Sequence, residues 1–169
     1  IHSARIAELT TAFDAAMTRF QTRLDAATTA QLERAPEGGG WSAAQIAWHV
    51  GATNDAFAGL IDGGIPIAKA PIEGFAETPW SEIAGQVPDK LEAPTHLHPP
   101  ATVTRDEALA KVQASRKRLM DALANLDEHR ARMTVKSTVG TRITLYQVAI
   151  WAAAHVARHN AQIKRLVGF

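Results

Sequence analysis

Cysteine is absent from this chain of 169 residues. Its absence excludes disulfide bonds, zinc–thiolate sites and a cysteine nucleophile. Any metal site must therefore be built from histidine, carboxylate or backbone ligands. An excess of one charge is also missing, because 18 Lys and Arg face 17 Asp and Glu. A formal charge of +1 creates no extended field for nucleic acid or anionic lipid, so we expect neither as a partner.

Long apolar runs are missing too. The most apolar window, residues 148–156, is far shorter than the roughly 20 residues that cross a bilayer. We expect no membrane-spanning segment and, without a signal-peptide pattern, a cytoplasmic protein. A hydrophobic fraction of 46% with 21% charged residues is typical of a folded globular protein. At this length we predict one domain over residues 1–169.

The first half of the chain predicts two long amphipathic helices. Apolar residues at steps of three and four from Ile6 predict a first helix that ends near residue 34, before Pro36 and three glycines. Ser42 and Gln45 form a capping-box pattern that opens a second helix, which ends at the glycines 63–64. His49 lies on the inward side of this second helix.

Residues 62–103 sustain no helical period, although residues 81–87 can form one or two turns. This segment holds most of the eight prolines of the chain. We interpret it as a long crossover, the kind of connection that lets consecutive helices of a bundle run parallel. The length of the crossover also favours a functional role.

A third helix begins after the crossover, with a capping-box pattern at Thr104 and Glu107, and ends around Asp127. Residues 131–143 are rich in β-branched side chains around Gly140 and predict a small hairpin. The final helix opens with a further capping box and completes a set of four long helices. Four amphipathic helices of this length predict an all-α bundle.

The final helix carries the most informative pair of side chains. Thr144 and Gln147 form its capping box, and His155 and His159 occupy inward positions one turn apart. Each buried imidazole nitrogen without a partner would cost on the order of 1–3 kcal/mol. If His49 joins this pair, two interpretations are open. The three imidazoles can coordinate a metal ion, or they can be ordinary core histidines whose nitrogens form hydrogen bonds with neighbouring groups.

The helix rise tests whether His49 can meet this pair. His49 lies about 9 Å from the start of its helix, and His159 and His155 lie about 12 and 18 Å from the end of theirs. Antiparallel packing of the two helices would therefore bring the three side chains roughly level. A three-histidine site on facing helices leaves an open coordination position.

These motifs together resemble the DinB-like (DinB/YfiT) superfamily over nearly the whole chain. The resemblance rests on Trp-Ser-Ala-Ala-Gln-Ile-Ala-Trp-His at 41–49, Thr-Leu-Tyr-Gln at 144–147 and His-x-x-x-His-Asn-Ala-Gln at 155–162. It implies an up-down-down-up four-helix bundle that forms a homodimer. It also implies that His49, His155 and His159 hold a divalent metal.

Three neutral imidazoles leave the full charge on a zinc, nickel or iron ion, which favours an anionic fourth ligand. Our leading hypothesis is a metal-dependent thiol S-transferase that joins a low-molecular-weight thiol to a small electrophile. A hydrolase that uses metal-bound hydroxide is the alternative, although no His-Glu-x-x-His pattern supplies a general base. A metal-binding or small-molecule-binding dimer without turnover is a third possibility.

Other polar residues have weaker patterns. We expect His2 and His129 to be exposed and without a role. We expect His96 and His98 in the crossover to be solvated loop residues, with a lid over the site as the alternative. Gln162 follows His159 by one turn and Thr53 follows His49 by four residues. Either side chain can orient a metal ligand or a bound molecule through a hydrogen bond. The alternative for each is an ordinary polar residue of the core or a partner of a helix cap.

Overall fold

A computed structural model describes residues 1–87 and 93–169 of the chain. In chain order its helices are α1 (His2–Ala26), α2 (Thr29–Glu33), α3 (Ala43–Asp62), α4 (Trp80–Ile83), α5 (Arg105–Ala124), α6 (Glu128–Ala131) and α7 (Leu145–Val167). Two strands, β1 (Thr134–Lys136) and β2 (Arg142–Thr144), lie between α6 and α7. The fold is therefore mostly helical, as the apolar periodicity predicted, with four long helices and three short ones in the described residues.

The first helix is shorter than predicted. It ends at Ala26 because Ala27 adopts an extended conformation, with φ −80° and ψ 144°. Thr28 then caps α2: its hydroxyl accepts from the amide of Gln31, and the Gln31 side chain accepts from the amide of Thr28. The predicted boundary near residue 34 was wrong because this capping box satisfies amides that a continuous helix would have bonded internally.

The capping boxes that open α3 and α7 are present as predicted. Ser42 accepts from the amide of Gln45, and the Gln45 side chain returns the bond to the amide of Ser42. The start of α7 has the same pair of bonds. At α5 Thr104 accepts from the amide of Glu107, but the Glu107 carboxylate accepts from the Thr104 hydroxyl. The two helices that carry His49, His155 and His159 therefore begin at residues fixed by reciprocal caps.

The segment between α5 and α7 contains the predicted hairpin. Strands β1 and β2 are antiparallel, with Val135 opposite Ile143, and Gly140 takes a φ of +90° in the turn. The helix α5 ends at Ala124, slightly before the predicted end, and Asp127 caps the short α6 by accepting from the amide of Arg130. The hairpin leads directly into the first turn of α7.

The predicted crossover contains several short elements. The predicted turns at 81–87 are present as α4 and a 3-10 turn at Ala84–Gln86, and a second 3-10 turn spans Thr95–Leu97. Lys69 forms an antiparallel bridge with Thr134 of β1. Residues 88–92 of the predicted crossover lie outside the described residues. The second 3-10 turn lies at the site that α3 and α7 form.

Pairs of contacting residues show the relative directions of the long helices. Between α3 and α5 the partners advance together, in the ion pairs Asp55–Lys111 and Asp62–Arg118. Between α1 and α7 they also advance together, in the pairs Arg5–Tyr146 and Arg23–Asn160. Between α1 and α5 they run in opposite order, in the pairs Asp14–Arg116 and Asp25–Arg105.

The core lies between these four helices. From α1 it takes a continuous apolar stripe in which each of five side chains is at most 3% exposed: Leu9, Phe13, Met17, Phe20 and Leu24. Residues of α3, α5 and α7 complete the same cluster. Across residues 1–87 and 93–169, none of the helices is both long enough and apolar enough to traverse a bilayer. The site described next lies at the edge of the core, where α3 faces α7.

Candidate metal centre

Three histidine side chains converge between α3 and α7. His49 lies in the second turn of α3, and His155 and His159 lie in the middle third of α7. The ring centroids are 5.1 Å apart for His49–His155 and for His49–His159, and 4.4 Å apart for His155–His159. One nitrogen from each ring lies within 4.8 Å of the others. The structure thus brings together the three positions that the helix rise placed level.

The ring nitrogens face one another through their Nε2 atoms. The Nε2 atom of His155 is 3.3 Å from that of His49 and 3.1 Å from that of His159. The Nδ1 atom of His49 lies 2.9 Å from the carbonyl oxygen of Leu97, and that of His159 lies 2.7 Å from Oε1 of Gln162.

These outer bonds determine the tautomers of two rings. A carbonyl oxygen can only accept, so Nδ1 of His49 and Nδ1 of His159 carry the protons that they donate. Their Nε2 lone pairs then point at Nε2 of His155, which can supply one proton at most. A divalent ion bound by all three Nε2 atoms would satisfy these lone pairs. The donor set fits such an ion.

Burial keeps the three imidazoles neutral. Desolvation is the largest effect on each ring: it lowers the pKa of His49 and sets the pKa of His155 well below its usual 6.5. The pKa of His159 falls to about 4 for the same reason, although its bond with Gln162 opposes the change. Metal ligation requires neutral imidazole, so the protein holds all three rings in the form that binds metal at neutral pH.

The outer nitrogen of His155 differs from the other two. Its Nδ1 is buried and has no hydrogen-bond partner among the described residues. An unpartnered buried polar atom costs about 1–3 kcal/mol, so this ring is held where it lies at a cost to stability. Coordination through Nε2 of the same ring would offset that cost.

Aromatic side chains contact two of the three rings. Trp41 packs on His49 with a centroid separation of 5.2 Å, and Phe57 meets His155 edge-on at 6.4 Å. The group of candidate ligands found in residues 1–87 and 93–169 contains histidine alone, with no carboxylate. An ion held there would therefore keep its double positive charge and attract an anionic fourth ligand.

Two polar residues near the site have different roles from one another. Gln162 bonds the outer nitrogen of His159, which is the orienting role predicted for it. Thr53 donates its hydroxyl to the backbone carbonyl of His49, 2.9 Å away, and so does not contact the ring. The group that orients His49 is the Leu97 carbonyl. Sequence reasoning missed it because a backbone carbonyl has no signature in the sequence.

The remaining histidines divide into exposed and bonded ones. His96 and His129 are exposed, as predicted. His98 is half-buried, packs edge-on against Trp41 at 5.4 Å and forms a hydrogen bond with the carbonyl of Ala93. These contacts favour the alternative interpretation of His98, a residue that covers the site, over an exposed loop histidine.

The prediction for His2 was wrong. Its ring nitrogens lie 2.6 Å from the hydroxyl of Tyr146 and 2.9 Å from the carbonyl of Leu126. The reason is tertiary: the first turn of α1 packs against the first turn of α7, so a residue at the chain terminus is held between two other segments. His2 therefore joins these segments and lies away from the three-histidine cluster.

The fold and the cluster define a mostly helical protein with three histidines that could hold a metal ion. Comparison with protein families then matches residues 12–163 to the DinB superfamily. The chain belongs to this superfamily, which confirms the resemblance seen in its motifs. The matched region includes His49, His155 and His159. No curated protein matches the chain.

Proposed function

We propose that the four long helices form a single up-down-down-up bundle over residues 1–169. The order of contacts supports this arrangement: α3 advances with α5, α1 advances with α7, and α1 opposes α5. The long crossover between α3 and α5 allows two consecutive helices to run the same way. The family match from 12 to 163 supports one domain.

The protein binds one divalent metal ion through Nε2 of His49, His155 and His159. The observation that carries this proposal is the convergence of the three Nε2 atoms, two of them with lone pairs fixed inward by Leu97 and Gln162. Zinc, nickel and iron accept imidazole ligands of this kind. Three protein ligands leave a position for a small molecule, as in catalytic rather than structural zinc sites.

The reaction is the transfer of a low-molecular-weight thiol to a small electrophile. A bound divalent ion would lower the pKa of a thiol in the open position and stabilise its thiolate. The protein supplies no cysteine of its own, so the sulfur must come from a cosubstrate. The thiol would lose its proton to solvent, and its sulfur would form a bond to an electrophilic carbon of the second substrate. In a substitution, the bond from that carbon to the leaving group breaks and its electron pair departs with that group. In an addition, the π electrons move to the conjugated acceptor, which takes up a proton from solvent.

The residues of the chain supply position and exclude water. The Leu97 carbonyl and Gln162 fix two rings, while Trp41 and Phe57 pack against the cluster. Because the ligands are fixed in place and water is excluded, the site would stabilise the charge of the thiolate more strongly than water does. The homodimer expected from the family resemblance is part of the proposal, and sedimentation velocity tests it.

Conjugation of a generic electrophile, 1-chloro-2,4-dinitrobenzene, with several thiols tests the reaction. Metal-loaded protein should accelerate conjugation above the chelator-treated protein, and His159→Ala should reduce the rate to that of the chelated protein. His129→Ala, at an exposed position, serves as the matched control and should retain the wild-type rate. Full activity in His159→Ala would contradict the proposal. Thiol-independent hydrolysis of an activated ester would favour the hydrolase instead.

A further inference from the structure

Arg158 stands apart from the other half-buried cations of the described residues. Seven half-buried Lys and Arg side chains have an ion-pair or hydrogen-bond partner in the fold: Arg5, Arg23, Arg105, Lys111, Arg116, Arg130 and Arg142. Arg158 is half-buried as well, yet no hydrogen bond or ion pair engages it within residues 1–87 and 93–169. A partly desolvated guanidinium without a partner is costly unless a ligand completes it.

The position of Arg158 relates it to the three histidines. It lies three residues after His155 and directly before His159 on α7, so it shares a helix face with His155. Its positive charge also contributes to lowering the pKa of all three rings, His49 across the helix interface included. The field of this guanidinium therefore reaches the whole cluster.

Within the part of the chain that the structure describes, the charge at the cluster is positive and unbalanced. The candidate ligand group found in the described residues contains no carboxylate, and Arg158 adds a further positive charge beside it. A divalent ion at the three histidines would increase this excess. A ligand with one donor atom for the ion and a second, negatively charged group would neutralise more of it than a neutral ligand would.

We propose that Arg158 binds the carboxylate of the molecule in the open position beside His49, His155 and His159, and so selects small carboxylate-bearing ligands. This inference rests on the proposed metal site. The planar guanidinium presents two parallel N–H groups that match the two oxygens of a carboxylate. The substrate class thereby narrows to thiols, or other metal-binding molecules, that carry a carboxylate a few bonds from the donor atom.

Ligand binding to the full-length protein loaded with cobalt(II) tests the inference without turnover. The two probes are 3-mercaptopropionate and 2-mercaptoethanol, titrated while the cobalt–sulfur absorption is followed. In wild type the carboxylate-bearing thiol should bind about tenfold or more tightly than in Arg158→Gln, while the affinity for 2-mercaptoethanol should not change. Each thiol is measured in both proteins, so the difference in acidity between the two thiols does not affect the comparison of wild type with Arg158→Gln.

Matched variants separate a specific contact from a general charge effect. Arg165→Gln removes an exposed arginine from the same helix and should behave as wild type. Arg158→Lys keeps the charge but loses the bidentate geometry, so its preference should fall between wild type and Arg158→Gln. Helical circular dichroism and cobalt stoichiometry establish that each variant is folded and loaded.

The possible failures are distinguishable. If wild type and Arg158→Gln bind cobalt equally and show the same ratio of affinities for the two thiols, the role of Arg158 is overturned while the metal centre stands. If the wild-type protein takes up no cobalt, the metal centre fails and the inference fails with it. An equal loss in Arg165→Gln would also overturn it, because the effect would then be one of net charge.

Discussion

Acidification should destabilise the metal-free protein through its buried histidines. In the folded state the pKa values of His49, His155 and His159 lie below 6.5, the ordinary value for an exposed imidazole. At a pH between 6.5 and the lowered pKa of a ring, the unfolded chain binds more protons than the folded chain. The free energy of unfolding therefore falls as the pH falls below 6.5, and it is highest, as far as these rings are concerned, above 6.5.

The contribution of His159 sets the scale. A folded-state pKa of about 4 against 6.5 corresponds to a loss of about 2 kcal/mol between pH 7.5 and pH 5. His49 and His155 act in the same direction. This loss is a substantial fraction of the roughly 5–15 kcal/mol by which folded proteins are usually stable.

Urea unfolding in the presence of a chelator measures this effect. The free energy of unfolding is determined at pH 7.5 and at pH 5 for wild type, for His159→Gln and for His129→Gln. The His159→Gln protein should lose about 2 kcal/mol less than wild type over this interval, because glutamine does not titrate. The His129→Gln protein, changed at an exposed position, should follow wild type. Equal losses in wild type and His159→Gln would refute the reasoning.

Two substitutions test individual contacts. Replacing Gln162 by Leu removes the bond that orients His159 and should weaken zinc affinity about tenfold or more in a chelator competition, with helical content unchanged; unchanged affinity would contradict the orienting role. Gly51→Ala would place a methyl group 2.6 Å from Cγ of Lys111 and 3.0 Å from its carbonyl oxygen. Thermal unfolding should show a loss of about 1–3 kcal/mol despite the higher helix propensity of alanine, whereas Gly85→Ala, which meets nothing within 4 Å, should cost little.

The histidine cluster could be predicted because helix periodicity and capping operate over short distances. The capping box fixed where α3 begins, and the rise per residue, counted from that start and from the end of α7, placed His49 level with His155 and His159. The hairpin was predictable for a similar reason, since its β-branched residues flank one glycine with a positive φ. Local rules were therefore enough to predict which face each long helix buries and roughly how long it is.

Features that depend on tertiary contact escaped prediction. The Leu97 carbonyl that bonds His49 belongs to a proline-rich segment without periodicity, and its role depends on how that segment folds back over α3. His2 appeared free because the sequence does not show that Tyr146 lies beside it. That Arg158 has no partner among residues 1–87 and 93–169 likewise becomes visible only in the folded structure.

The metal content of the protein tests the central claim most directly. The protein should be purified without a histidine tag, exchanged into zinc-containing buffer, freed of excess metal and subjected to elemental analysis. We predict about one zinc ion per chain in wild type and a large loss in both His49→Ala and His155→Ala, because each removes one of three ligands. His96→Ala, changed at an exposed crossover position, should retain the ion. A metal-free wild type, or the same zinc content in wild type and both ligand variants, would contradict the account.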